Sequence, residues 1–200
     1  MSWLDLTRPM DIDLPIYREA VYADPPMQIT PWCDVAEQGY CVAQLMMGTQ
    51  TGTHIDAPRH FLHDGATLES VSLDWLVGRY QWVTVNTEGV TLEPAVGQPN
   101  LLFIRFVEQV RIAPAALHQL LAGPEPVWVL DGMPGVVGQD MFYFHRTLAE
   151  YGKFLVEDLQ PDAACQVESG GELLAMPLRL VGTSGSPCRV AWRAEQIIGK

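Results

Sequence analysis

Positive charge is scarce in this chain of 200 residues: Lys and Arg number 12 against 24 Asp and Glu, for a formal net charge of -12. A surface of that sign repels phosphate backbones and anionic headgroups, and no basic run offsets it. Binding to nucleic acid or to a membrane surface is therefore not expected. Long apolar runs are missing too, since no segment approaches the roughly 18 continuous apolar residues of a membrane span. The opening "MSWLDLTRPMDIDLPIY" carries Asp5, Asp11 and Asp13 where a secretory leader needs an apolar stretch behind a basic end. A cytoplasmic location is the expectation. The four cysteines (Cys33, Cys41, Cys165 and Cys188) form no CxxC pair and lie far apart. They read as reduced, mostly buried thiols rather than a disulfide frame or a zinc knuckle. There is no G-x-S-x-G nucleophile motif, and no phosphate-loop or dinucleotide fingerprint.

What remains is an ordinary folded composition, 48% hydrophobic and 18% charged. The chain is long enough to bury a sizeable core as a single domain over residues 1–200. The first forty residues, rich in Pro, Asp and aromatics, read as extended chain and turns. "YCVAQLMMGTQ", "YQWVTVN", "LLFIRFV", "PVWVLDG", "KFLVEDL", "LLAMPLRLVG" and "CRVAWRAE" have the length and β-branched or aromatic content of strands. Helix signals are fewer. "APAALHQLLAG" has Pro114 near its start and Gly123 past its end, and "FHRTLAEYG" stops at Gly152. The reading is an α/β chain with a substantial sheet, short helices, and neither internal repeat nor linker.

The five histidines are unevenly spent: His54, His60 and His63 all fall within "GTQTGTHIDAPRHFLHDG", residues 48–65. Imidazole and carboxylate are natural ligands for zinc and similar divalent ions. In extended chain, residues two apart project to one side, so His54 and Asp56 can reach one ion together. Gln50 shares that side if the strand runs straight, although Gly48 and Gly52 leave the local path open. Pro58 turns the chain and can return His60 towards the same point. An isolated H-x-D is more often a surface loop with no task; the density of histidine and the flanking Gly-Thr and Asp-x-Pro favour a site here. His63, in "HDG", reads as an exposed turn outside it.

"TGTHIDAPRHF" resembles the H-x-G-T-H-x-D-x-P-x-H signature of the cyclase-like metal hydrolases, the family of bacterial kynurenine formamidase and isatin hydrolase. "WLDLTRPMDIDLPIY" is similar to that family's opening strand. "DGATLESVSLDWLVGRYQWVTVN" resembles the stretch after the signature, and "AMPLRLVGTSGSPCRVAW" its closing strands. "HRTLAEYGKFLVEDL" is similar to a second motif, a histidine followed twelve positions later by a glutamate. The resemblance implies the family's compact α/β domain of swivelling β/β/α type, with a β core and short flanking helices, often a homodimer. It implies His54 and Asp56 as metal ligands, His60 as the catalytic proton carrier, and His145 and Glu157 as ligands completing a two-metal site. Without the family, His145 and Glu157 read as structural, though Glu157 sits oddly inside the apolar "FLVEDL".

Two positions depart from the pattern. Gln50 stands in place of the first signature histidine, a ligand in the family, and an amide oxygen is a weaker donor to zinc than imidazole. One ion instead of two, a different metal such as manganese, or no metal are the outcomes this leaves open. "DGMPGVVGQD" replaces an Asp-Thr-Pro-Ser segment near the family's site. The leading expectation is a metal-dependent hydrolase of a small amide, lactam or ester, using a zinc- or manganese-activated water with His60 moving the proton. The alternative is a cyclase or dehydratase on the same scaffold, with metal weakened or absent because of Gln50. A non-catalytic protein has no chemical reason to keep all five of the other residues. Trp32 and Trp75 are candidate walls for an aromatic substrate, with core packing the commoner role of such side chains.

Overall fold

The computed structural model describes residues 2–95 and 97–195. Its strands are β1 (Leu4–Asp5), β2 (Gln28–Cys33), β3 (Val42–Met46), β4 (His54–Asp56), β5 (Val77–Gly78), β6 (Tyr80–Asn86), β7 (Gly89–Glu93), β8 (Leu101–Phe106), β9 (Val127–Asp131), β10 (Phe154–Glu157), β11 (Glu172–Pro177) and β12 (Gly185–Arg193). The helices are short: α1 (Val35–Gln38), α2 (Pro114–Leu121), α3 (Tyr143–Glu150) and α4 (Pro161–Ala164). One mixed sheet runs β5-β11-β12-β4-β10-β9-β8-β6-β7, with β1 also paired to β12, and β2 and β3 form a separate hairpin.

The strand order follows from burial. "LLFIRF" and "VWVLD" are apolar almost throughout, as strands covered on both faces must be, and β6, β8, β9 and β10 pair in parallel. Alternate residues divide between two cores. Leu101, Phe103, Val127, Val129, Phe154 and Val156 enter one core, which also takes Ile55, Leu173, Val190 and Trp192. The sheet therefore curls until its two ends share an interior. Leu102, Ile104, Trp128, Leu130 and Leu155 face the other way and are covered by Leu117, Leu120 and Leu121 of α2 and by Phe144 and Leu148 of α3. These helix residues repeat at the three- and four-residue spacing of one helical face. Pro114 opens α2, and α3 is followed by Gly152 at φ 68°.

The long strands and both longer helices stand where the sequence places them. Several features do not. "LLAMPLRLVG" ends as a strand at Pro177, and the last strand begins at Gly185, well before "CRVAWRAE". Two-residue strands and the polar β7 carry too little alternation to be read. The first forty residues include β2 and the one-turn α1, capped by the Asp34 carboxylate on the N–H groups of Ala36 and Glu37. Cys41 and Cys165 are exposed, so only Cys188 is a fully buried thiol. No helix among the described residues is long and apolar enough to cross a membrane.

Candidate metal centre

Strand β4 lies between β10 and β12, antiparallel to both, at the place where the parallel half of the sheet gives way to the antiparallel half. Crevices beside the carboxyl ends of parallel strands are where such sheets bind ligands. Register does the assembling: Glu157, the last residue of β10, pairs with His54, the first of β4, and Leu155 pairs with Asp56. Directly opposed residues project to the same face. His54, Asp56 and Glu157 therefore converge, while Ile55 turns into the core.

His54 and Asp56 are only 6% and 5% exposed. The His54 Nδ1 lies 2.7 Å from the Gly52 carbonyl, which accepts its proton and leaves Nε2 for the carboxylates. That nitrogen is 3.5 Å from Asp56 Oδ1 and 3.4 Å from Glu157 Oε1. The other glutamate oxygen, Oε2, is 3.1 Å from Nε2 of His145 on α3. Glu157 thus bridges the two imidazoles. Gly52, at φ 63°, makes the turn before His54, and a side chain there would run into Leu14.

A divalent ion fits this donor set. One atom each from His54, Asp56 and Glu157 lie within 4.8 Å of one another. Separations of 3.5 and 3.4 Å are long for charge-assisted hydrogen bonds, which run about 2.7–2.9 Å. They match the roughly 3.4 Å between neighbouring ligands of a tetrahedral ion with bonds near 2.1 Å.

Metal-free, the same groups settle their charge with protons. Burial alone would lower the His54 pKa, but the adjacent carboxylates of Glu157 and Asp56 outweigh it and hold it at about 9. Burial also works against the charge on His145, yet Glu157 keeps its pKa above the usual histidine value. Burial opposes ionisation of Glu157, but His145 and His54 bring its pKa well below the ordinary carboxyl range. For Asp56 burial wins, and its pKa is raised.

A cavity of about 490 Å³ opens onto the cluster, with His54, His145 and Glu157 at its floor. Ile16, Tyr17, Met141 and Phe142 supply apolar walls, with Arg8 and Asp131 among the polar lining. Neither proposed tryptophan takes part. Trp75 packs towards Phe154 at the core, and Trp32 is 73% exposed on the hairpin. His63 is the exposed turn residue expected of it. His60 is on the short helical turn Pro58–His60, exposed and outside the cavity lining. Its ring is edge-on to Phe61, 4.5 Å away, and Phe61 lies 5.4 Å from His145. Gln50 does reach the cluster, through an N–H to Asp56 Oδ1 at 3.3 Å.

Sequence reasoning missed the ion pairs that reach the cavity through Asp131 and Arg8. Arg105 Nε donates to Asp131 Oδ2 at 2.6 Å, and its other nitrogen to the carbonyls of Ala164 and Val167. The guanidinium lies 4.8 Å from the Trp82 ring centre. An arginine inside "LLFIRFV" was the available signal, because a buried cation needs an acceptor. Arg8 pairs with Asp158 at 2.8 Å, on the loop leaving β10.

A family model described as "Putative cyclase" matches residues 4–109. Kynurenine formamidase of Geobacillus thermodenitrificans is 26% identical, over 96% of this chain and 97% of its own. That of Delftia acidovorans is 28% identical, over 82% of this chain and 86% of its own. Isatin hydrolase A from Ralstonia solanacearum shares the fold, with a TM-score of 0.73 at 16% identity, covering 97% of this chain and 92% of that one. So does a protein described as a predicted metal-dependent hydrolase from Bacillus stearothermophilus, with a TM-score of 0.70 at 24% identity, covering 96% of this chain and 97% of that one.

Proposed function

The chain belongs to the putative cyclase family, and on that premise we propose that it is a metal-dependent hydrolase of a small amide, lactam or ester. The ligand-like spacing of His54, Asp56 and Glu157, with His54 and Glu157 lining the cavity, carries this reading. The names of its relatives, formamidase and isatin hydrolase, support a C–N bond as the one cleaved.

Imidazole with carboxylate suits zinc or manganese, held by His54, Asp56 and Glu157 with His145 behind Glu157. Such an ion supplies Lewis acidity, lowering the pKa of water and polarising a carbonyl. The chain does the rest. The Gly52 carbonyl fixes the His54 ring so that Nε2 faces the carboxylates. Tyr17, Phe142, Met141 and Ile16 exclude water from one side of the substrate and orient a flat apolar group. His60 is the proposed proton carrier, placed four residues beyond Asp56 where its charge is felt by that carboxylate. An aryl formamide, isatin and a phenyl ester, offered to the metal-loaded protein, should reveal at least one hydrolysis. His60→Ala should lower kcat about 100- to 10,000-fold and leave metal content unchanged. No turnover of any of the three would overturn the hydrolase reading.

Metal binding should release protons. The His54 pKa is raised, so the ring is charged below about 9 and must lose a proton to ligate. The apparent affinity should rise about tenfold per pH unit up to that value and then flatten. In the metal-free protein the sign is opposite: stability from His54 is complete below 6.5 and is lost as the pH climbs through about 9. Calorimetric titration of zinc in buffers of different ionisation enthalpy, across pH 6.5 to 9.5, measures both the affinity and the released proton. An affinity flat with pH would contradict the assignment of His54 as a ligand.

We also propose a homodimer. A two-stranded hairpin is marginal alone, yet β2 and β3 project Trp32, Leu45, Met46 and Ile29 into solvent. A second copy of the chain is the proposed cover. Light scattering should give twice the chain mass, and Trp32→Glu with Leu45→Glu should halve it. A monomeric parent protein would dismiss the idea.

A further inference from the structure

We propose that Gln50 is a positioning residue and not a metal ligand, and that it limits the centre to one ion per chain. This rests on the reading of His54, Asp56 and Glu157 as a metal cluster. The Gln50 amide is held on three sides. Its Nε2 donates to Asp56 Oδ1 at 3.3 Å and to Ser184 Oγ at 3.2 Å, and its Oε1 accepts from Thr49 Oγ1 at 2.5 Å. The two hydroxyls serve as donor or acceptor, so they leave the amide free to face either way. An ionised Asp56 carboxylate, the form that ligates an ion, only accepts, and it therefore selects the N–H side.

Room for the amide is built into the neighbouring strand. A Cβ on Gly185, which pairs with Asp56, would stand 2.6 Å from Gln50 Nε2 and 2.5 Å from the Ile55 carbonyl. The glycine lets β12 lie close to β4 and leaves the amide its place.

Two consequences follow. The N–H holds Asp56 Oδ1, the same oxygen that lies 3.5 Å from His54 Nε2, and so orients the ligand. It also sets the positive end of the amide dipole against that oxygen. A second cation sharing it would need donors on the Gln50 side and would meet N–H groups instead. The remaining charge agrees with this: the two carboxylates, Asp56 and Glu157, neutralise one divalent ion.

The test is titration of metal-free protein with Zn2+ and with Mn2+ by calorimetry, and elemental analysis after desalting. The parent chain should bind one ion. Gln50→Met, of similar length without the N–H, should still bind one, about 10- to 100-fold more weakly, as expected on losing a group that orients a ligand. Gln50→His should bind a second. Two ions in the parent falling to one in Gln50→Met would make Gln50 a ligand, through a turned amide whose oxygen shares the cation with Asp56, and would overturn the proposal. One ion in all three with the same affinity would overturn it while leaving the cluster intact. No ion in the parent would remove the metal reading itself, and this proposal with it. Melting of the three metal-free forms identifies any variant that fails to fold, and Gln50→Leu then replaces it.

Discussion

Asp56→Asn should abolish metal-dependent hydrolysis, with a loss of about a thousand-fold or more. Loss of an outer partner of a ligand costs about 10- to 100-fold, and loss of the ligand itself costs more. The stability readout is sharper, because its sign depends on the metal. Binding to the native state adds about 2.7 kcal/mol when the free ion is 100 times its Kd. That corresponds to roughly 5–10 °C in a chain of this size, and the variant should gain none of it. In chelator the order should reverse or vanish. Burial raises the pKa of Asp56, so its ionised form is a cost in the metal-free protein at neutral pH. Asparagine keeps the shape without that charge. Thermal melts of both proteins, with excess zinc and with chelator, give four values. A variant that gains as much from zinc as the parent would remove Asp56 from the metal centre.

Arg105→Ala should be the most damaging change away from the metal cluster, lowering stability by about 3–5 kcal/mol. Arg105 and Asp131 are a register pair across β8 and β9, each about one-fifth exposed, and the guanidinium also serves two carbonyls, of Ala164 at the end of α4 and of Val167 just beyond it. Removing the cation leaves Asp131 without its partner and the Ala164 and Val167 carbonyls without a donor. The expected fall in melting temperature is on the order of 10 °C. Asp131→Leu combined with Arg105→Met should recover much of it, because a pair replaced by apolar groups leaves no charge stranded. Asp131 lines the cavity, so the double variant should fold yet bind substrate differently. A single variant within 1 kcal/mol of the parent by urea denaturation would show the ion pair to be dispensable.

Much of the site was legible before any fold was known. The period-two projection of a strand puts His54 and Asp56 on one face, and the structure has them there on β4. The oddity of Glu157 in an apolar run was a correct sign of a partnered carboxylate, since its strand is buried except at that end. Helix ends at Pro114 and Gly152 follow from local backbone chemistry and stand where expected. The family signature carried the rest of the list, and with it a reading of His60 that geometry qualifies by setting the ring on the exposed side of a turn.

Residue type and spacing along one strand thus determined the kind of chemistry and one half of the cluster. The resemblance named Glu157 as well, and the tertiary structure set it beside His54 through the antiparallel register of β10 on β4, about a hundred residues apart in the chain. The tertiary structure also decided that Gln50 turns an N–H towards Asp56, that Arg105 finds Asp131, and that Trp32 stands in solvent. Each of these depends on where the folded chain sets a side chain, and a single sequence records which donors and acceptors exist without recording which of them folding brings together.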